Sequence, residues 1–485
     1  MRSPHVLLPA LASLLLAMPT PSSSQQPGAE QTLRAFVRAF NSSDAATIRR
    51  FVDEHFVISG PNTPTPEQRA ERLSFIAAQQ GTLTVRSVDT SRANQPSALV
   101  QSGRTEAWRR ITLFLDGSTP ARIARVGFAP ATSPDTPSRA LSDAEIVTQL
   151  KGYVERLAAR DVFSGTVLLA KNGKPLYRAA FGEANKDFGV KNTIDTKFNL
   201  GSMNKMFTAV SVMQLVEAGK LSLDDSLGKF LKPGSMGPDV LSKVRVKHLL
   251  SHTSGLGSYF SPKWDSLSRA SFRTVDDWMN LVKDETLAFE PGTRWSYSNT
   301  GMLVLGKVIE VASGQDYFEY VRQHVAKPAG MLNTDAYELD RVNKNLAVGY
   351  EPERTPRGTE YRNNIFMHVI RGGPAGGGYS TVEDLTRFAE ALEAGKLVSQ
   401  AGMSMLTTPK PDLGSPNYGF GFGVEENGRI VGHSGGFPGI NSQLDIYVGR
   451  DYTVAVMSNY GGGAQPIIEK SRALLLAGQP ATASR

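Results

Sequence analysis

The sequence predicts an α+β protein of two folded units, the larger built on an antiparallel sheet flanked by helices, with a helical subdomain set into it. Three observations carry this. At 485 residues the chain is too long for one ordinary core. Residues 28–128 read as helices followed by short strands. Beyond them, β-type runs at 164–182 and 443–458 enclose a long helical middle, so the two ends of that stretch must meet in one sheet.

The first 27 residues stand outside both units. Arg2 precedes an apolar run over residues 6–18, and a stretch rich in Pro, Ser and Gln follows. That run is too short to span a bilayer, and it predicts a signal peptide over residues 1–24, cut somewhere in residues 22–26. The expected location is periplasmic or secreted. No later stretch is long and apolar enough for a membrane span, so no stable membrane insertion is expected. The chain has no cysteine, which excludes a lipid-modified cysteine, disulfides, thiolate zinc sites and cysteine nucleophiles. Its net charge of +7 is scattered, without the clustered Lys and Arg of a nucleic-acid partner.

Residues 28–129 form the small α+β domain. Leu33, Phe36, Val37 and Phe40 recur at helical spacing, and Ile48, Phe51 and Val52 continue a second helix. After Gly81 the period changes, with β-type runs at 83–85, 98–100, 111–115 and 123–128. The pattern is similar to the cone-shaped fold of nuclear-transport-factor-2-like and ketosteroid-isomerase-like proteins. It carries no site chemistry, and a substrate-positioning, docking or purely structural role stays open. Residues 130–140 (PATSPDTPSRA) are a linker by composition.

The second domain, residues 141–480, opens with a capping box. Ser142 and Glu145 start a helix whose apolar face runs Ile146, Leu150, Val154, Leu157. Two strands at 164–171 and 174–182 are joined by Asn172-Gly173, a strong hairpin signal. Helices follow from Ser202 onward, then strands at 443–448 and 452–458, and an apolar helix at 467–476 closes the unit.

The chemistry lies in this domain. Acyl transfer needs a nucleophile, a group to take its proton, and donors for the developing oxyanion. Ser202 enters a helix carrying Met203, Phe207, Val210 and Met213, and Lys205 lies one turn on along the same face. Ser226 and Lys229 match Ser-x-x-Lys equally, but a chance pairing in a turn accounts for them. Tyr297 and Asn299 sit two residues apart ahead of a helix over 300–311. The run Gly432-His433-Ser434-Gly435-Gly436 immediately precedes a strand, where glycines let a substrate approach backbone.

In this order, the three elements resemble the active-site set of penicillin-binding proteins and serine β-lactamases. The match is closer to the branch of class C β-lactamases, D-Ala-D-Ala carboxypeptidases, D-aminopeptidases and related esterases. The resemblance covers residues 141–478 and is reinforced by His248-Leu249-Leu250-Ser251-His252-Thr253-Ser254-Gly255, by Pro291-Gly292, and by residues 376–381 (GGGYST). It implies a β-lactamase-like fold and an exported serine hydrolase that forms an acyl-enzyme on Ser202. The implied substrate is a small molecule or short peptide: a D-amino-acid peptide, an ester or a β-lactam.

By the resemblance, Ser202, Lys205 and Tyr297 are catalytic, and Asn299, His433, Ser434 and Gly435 bind substrate. The backbone N–H groups of Ser202 and Gly436 form the oxyanion hole, and no cofactor or metal is implied. A phenol near its ordinary pKa of about 10 is a poor base, and Lys205 is the cation expected to lower it. Whether Lys205 or Tyr297 takes the proton stays open. His433 and Ser434 stand where class C enzymes carry lysine and threonine. An imidazole is mostly neutral at pH 7, so the fixed cation for a substrate carboxylate is lost. That favours D-amino-acid peptides or esters over a class C-like β-lactamase activity, and an acylated sensor that does not turn over is the other alternative.

Two rival motifs fall away. Residues 432–436 also read Gly-x-Ser-x-Gly, but a nucleophile elbow needs a following helix and a downstream histidine, and His433 is the last histidine. His248 and His252 have zinc-pair spacing without the glutamate, and are expected to cap and pack a helix ending at residues 253–255. Substrate preference is expected in the loops 258–273 and 351–364.

Overall fold

A computed structural model of the chain describes residues 28–58, 63–118, 121–355 and 358–479; the expected signal peptide lies outside them. Two compact units emerge, Met1–Gly103 with Trp108–Ala131, and Arg104–Ala107 with Thr132–Arg485.

In the first unit, helices α1 (Ala29–Asn41), α2 (Ala45–His55) and α3 (Pro66–Gln80) precede strands β1 (Leu83–Asp89), β2 (Ser97–Ser102), β3 (Trp108–Leu115) and β4 (Ile123–Pro130). The strands pair antiparallel in the order β1-β2-β3-β4. Asp44 caps α2 by accepting the Thr47 N–H at 2.8 Å. Thr65 and Gln68 form a capping box ahead of Pro66 in α3, a helix that apolar spacing alone does not mark. Leu33, Phe36, Val37 and Phe40 are all buried on one stripe of α1, where they meet Phe51 and Phe128.

The second unit begins with α4 (Asp143–Ala159), whose capping box at Ser142 and Glu145 is formed as the sequence requires. Strands β5 (Gly165–Lys171) and β6 (Lys174–Phe181) turn through Asn172 (φ 48°) and Gly173 (φ 71°), the left-handed pair a two-residue hairpin needs. The central helix α5 (Asn204–Glu217) is buried on nearly every side. Helices α6 (Asn299–Ser313) and α7 (Val382–Glu393) follow, then β7 (Gly423–Glu425), β8 (Ile430–Phe437), β9 (Ile440–Tyr447), β10 (Tyr452–Ser458) and α8 (Gln465–Leu475).

The sheet order is β7-β8-β9-β10-β5-β6, antiparallel throughout, so the first and last strands of the unit do meet. Both faces are covered, which is why its central strands read as continuous apolar runs. Val167 and Leu169 of β5 face the core shared with α4 and α8, while Leu168 and Ala170 face the larger core around α5. Ser458 Oγ donates to the Ser164 carbonyl at 2.8 Å, tying the last strand to the first across 294 residues. Asp445 on β9 is 1% exposed and is held by Arg472 of α8 at 2.6 Å.

Strand β7 covers β8 only from Ile430 to Gly432. From His433 to Phe437 β8 pairs with β9 alone, and this open stretch of edge borders the cleft described next.

Candidate active site

The turn that carries Ser202 is built from glycine contacts. Phe198–Asn199 pairs with Tyr379–Ser380, Leu200 N–H donates to the Gly378 carbonyl at 2.7 Å, and Asn199 Oδ1 accepts from Gly201 N–H at 2.8 Å. Gly201 has φ +51°, and a Cβ there would lie 2.9 Å from both Gly435 Cα and Gly436 N. A Cβ on Gly435 would sit 1.9 Å from the Leu200 carbonyl oxygen, and one on Gly376 would meet the Gly201 oxygen at 2.8 Å. Three backbones therefore converge at van der Waals distance, and only glycine admits it. Ser202 sits in a 3-10 turn, Gly201–Met203, that runs directly into α5.

Lys205 is wholly buried. Its Nζ donates to Asn299 Oδ1 at 2.9 Å and to the Ala375 carbonyl at 2.5 Å, and lies 4.9 Å from the centre of the Tyr297 ring. Desolvation pushes its pKa well below the ordinary lysine value. Both of those contacts are to uncharged oxygens. The Ser202 hydroxyl is in hydrogen-bonding reach of the Tyr297 phenol. Burial pushes that phenol up to about 12, with the Ser202 contact opposing the shift. This corrects the expectation that Lys205 lowers the tyrosine. Burial drives both groups toward their neutral forms.

His433 occupies the third motif position, but its ring is committed. Nε2 contacts the Tyr418 hydroxyl at 3.0 Å and Nδ1 contacts the Ser434 carbonyl at 2.6 Å. Burial pushes its pKa down to about 3. The neutral histidine expected from its ordinary pKa is thus fixed as neutral by the fold. Ser434 and Gly436, one residue either side of Gly435, are exposed toward solvent. A Cβ on Gly436 would meet nothing within 4 Å.

Two residues of the site escaped the sequence reading. Tyr418 has no motif around it and reaches His433 only through the tertiary fold. His252 was expected to cap a helix, but that helix, Val246–Leu250, ends before it, and His248 does the capping through its Nδ1 and the Arg245 N–H. His252 instead has φ 58° and lies beneath the tyrosines, with ring centres 4.5 Å from Tyr297 and 4.7 Å from Tyr418. Its Nδ1 accepts from Ser298 N–H at 3.2 Å, and its buried Nε2 has no partner among the described residues. The fold of this segment was the available signal: Gly292, in the Pro291-Gly292 pair, donates its N–H to the Thr253 carbonyl at 2.8 Å.

The remaining expectations sort cleanly. Asn299 opens α6 and is shared between Lys205 and Ser258 Oγ, to which its Nδ2 donates at 3.1 Å. Lys229 pairs with Asp225 at the surface, 2.6 Å away, far from this chemistry. Gly432 to Gly436 lie within one continuous strand, so no nucleophile elbow exists there. No group of three His, Cys, Asp or Glu side chains able to hold a metal occurs among the described residues. No helix among them is long and apolar enough to cross a membrane.

A family model described as Beta-lactamase matches residues 150–479. A penicillin-binding protein of Bacillus subtilis (strain 168) is 33% identical over 354 residues, 68% of this chain and 76% of that protein. The solved structure of a penicillin binding protein from Bacillus halodurans is 29% identical with a TM-score of 0.59, covering 69% of this chain and 99% of that one. That of an octameric penicillin-binding protein homologue from Pyrococcus abyssi is 28% identical with a TM-score of 0.59, covering 70% and 78%.

Proposed function

The chain belongs to the β-lactamase family of serine hydrolases, and on that premise we propose that it is an exported hydrolase working through a covalent acyl-enzyme on Ser202. Its substrate in this reading is an ester or a D-amino-acid peptide bond, with β-lactams as acylating ligands. The observation that carries the reading is the wholly buried Lys205 Nζ, held by the uncharged oxygens of Asn299 and Ala375 behind a phenol that contacts Ser202.

In acylation the Ser202 oxygen attacks the carbonyl carbon, and its proton passes through Tyr297 to the Lys205 amine. The backbone N–H groups of Ser202 and Gly436 receive the oxyanion. On collapse, the carbonyl–leaving-group bond breaks and the Tyr297 hydroxyl gives a proton to the departing oxygen or nitrogen. Lys205 restores it. A water attacking the acyl-enzyme by the same proton path regenerates Ser202. With His433 neutral and tied to Tyr418, no cation of the third motif awaits a terminal carboxylate on the leaving side. That weakens the carboxypeptidase and efficient β-lactamase readings relative to uncharged esters and amides.

The test is intact-mass spectrometry after incubation with a fluorescent penicillin, alongside turnover of a p-nitrophenyl ester, on wild type and Ser202→Ala. An adduct or turnover present in wild type and absent in Ser202→Ala is the expected result. Slow loss of the adduct with no turnover would instead describe a sensor. Full activity in Ser202→Ala would overturn the mechanism.

A further inference from the structure

Beside Ser202 lies an open cleft. Its walls are Tyr259, Phe260, Trp264, Trp278, Met367 and Phe437. Trp264 and Trp278 stack with ring centres 5.3 Å apart, and Phe260 stacks on Phe437 at 6.0 Å. The lining contains no Asp, Glu, Lys or Arg among the described residues. His368 also borders it, and burial pushes that imidazole down to about 4, so it is neutral as well. Its polar groups are uncharged: Ser202, Asn199, Asn299, the Tyr259 hydroxyl, the ring N–H groups of Trp264 and Trp278, and backbone at the glycine turns.

The rim has the same character. Phe260 is 46% exposed and Met367 42%, and Ile365 and Phe366 beside Met367 are exposed too. Apolar side chains held at a cleft mouth cost nothing to strip of water and reward an apolar ligand. A charged group entering the same space would surrender its hydration and find no counter-ion.

The side of the scissile bond follows from the reading of the mechanism proposed above, on which this inference rests. Tyr297 protonates the leaving group, and neither Tyr297 nor His433 lines the cleft. The half of the substrate that stays on Ser202 therefore enters it. We propose that this cleft selects substrates by an uncharged, bulky apolar acyl group, aryl or branched aliphatic, and rejects acyl groups bearing a carboxylate or ammonium. The loop expected to govern preference, 258–273, supplies three of the walls. The other, 351–364, forms the hairpin Tyr350–Thr355 with Gly358–Asn363, and the lining comes from the residues just after it.

The experiment compares kcat/KM for p-nitrophenyl acetate, butyrate, phenylacetate and hemisuccinate on the full chain, and repeats it with Phe260→Asp and Met367→Glu. Burial of apolar carbons rewards binding by about fourfold per methylene, so phenylacetate should exceed acetate by about tenfold or more, with hemisuccinate lowest. Either variant should cut the phenylacetate-to-acetate ratio by about tenfold, since a rim carboxylate opposes apolar burial. Acetate or hemisuccinate served best, or a ratio unmoved by both variants, would overturn the proposal. Should wild type turn over no ester and form no penicillin adduct, the catalytic reading fails while the cleft is judged by calorimetry on Ser202→Ala. Tighter binding of phenylacetamide than acetamide upholds it; equal or weaker binding overturns it.

Discussion

An amine buried as fully as that of Lys205 gives up the hydration that stabilises its ammonium, and Asn299 and Ala375 offer oxygens but no negative charge. The sign of the linkage follows. The unfolded chain keeps this lysine protonated to about pH 10.4, whereas the folded chain releases the proton at lower pH. Between those values the unfolded state binds more protons, so this group makes stability rise with pH, by about 1.4 kcal/mol per unit. Lys205→Met should lose acylation by about a thousandfold, an activated nucleophile being left without its base. In chemical melts, wild type should gain stability relative to Lys205→Met as pH is raised from about 7 to about 9.5. A constant difference would mean that the lysine is charged in the fold. The kcat/KM profile should rise through the lowered Lys205 ionisation and stay high until Tyr297 ionises toward 12. Tyr418→Phe removes the hydroxyl that His433 Nε2 meets, and an unpartnered buried nitrogen should cost about 1–3 kcal/mol in the same melts.

At the scale of elements, the site is a meeting of the nucleophile turn, the glycine loop before Tyr379 and the open end of β8. Gly435→Ala places a carbon 1.9 Å from a backbone oxygen that cannot move without the turn, so it should destabilise by about 3 kcal/mol and abolish acylation. Gly436→Ala meets open space, so it should melt like wild type while its methyl intrudes on substrate. A thermal scan and an acylation assay on the pair separate the two roles of neighbouring glycines. Much of this level was legible in the chain: Asn172-Gly173, the Ser142 and Glu145 box and the Ser202–Lys205 spacing depend on residues close in sequence, and the motifs around Tyr297 and His433 are each local runs. What local pattern could not give is that His252 and Tyr418, 166 positions apart, stack on the same tyrosine pocket; periodicity and spacing do not encode contacts made by packing. The ionisation of Tyr297 went the opposite way from expectation for the same reason, because burial is a property of the assembled unit.

For the whole molecule, the second unit is built on one six-stranded sheet with helices on both faces, and the ends of the unit are what complete it. The run of strands at either end of the sequence gave the closure, while strand order and the buried Asp445–Arg472 pair between β9 and α8 needed the structure. Arg472→Ala should cost about 3 kcal/mol or more, since it strands a carboxylate that is 1% exposed, and a urea midpoint would report it. Arg472→Lys should recover part of this.

The bond from Ser458 to Ser164, which spans 294 residues, also fixes a timetable. A chain made from its amino end has finished β5 and β6 long before their neighbour β10 exists, and both faces of β5 are apolar. During synthesis that hairpin keeps an unpaired, apolar border until the last strand arrives, a stage at which it can pair with other chains.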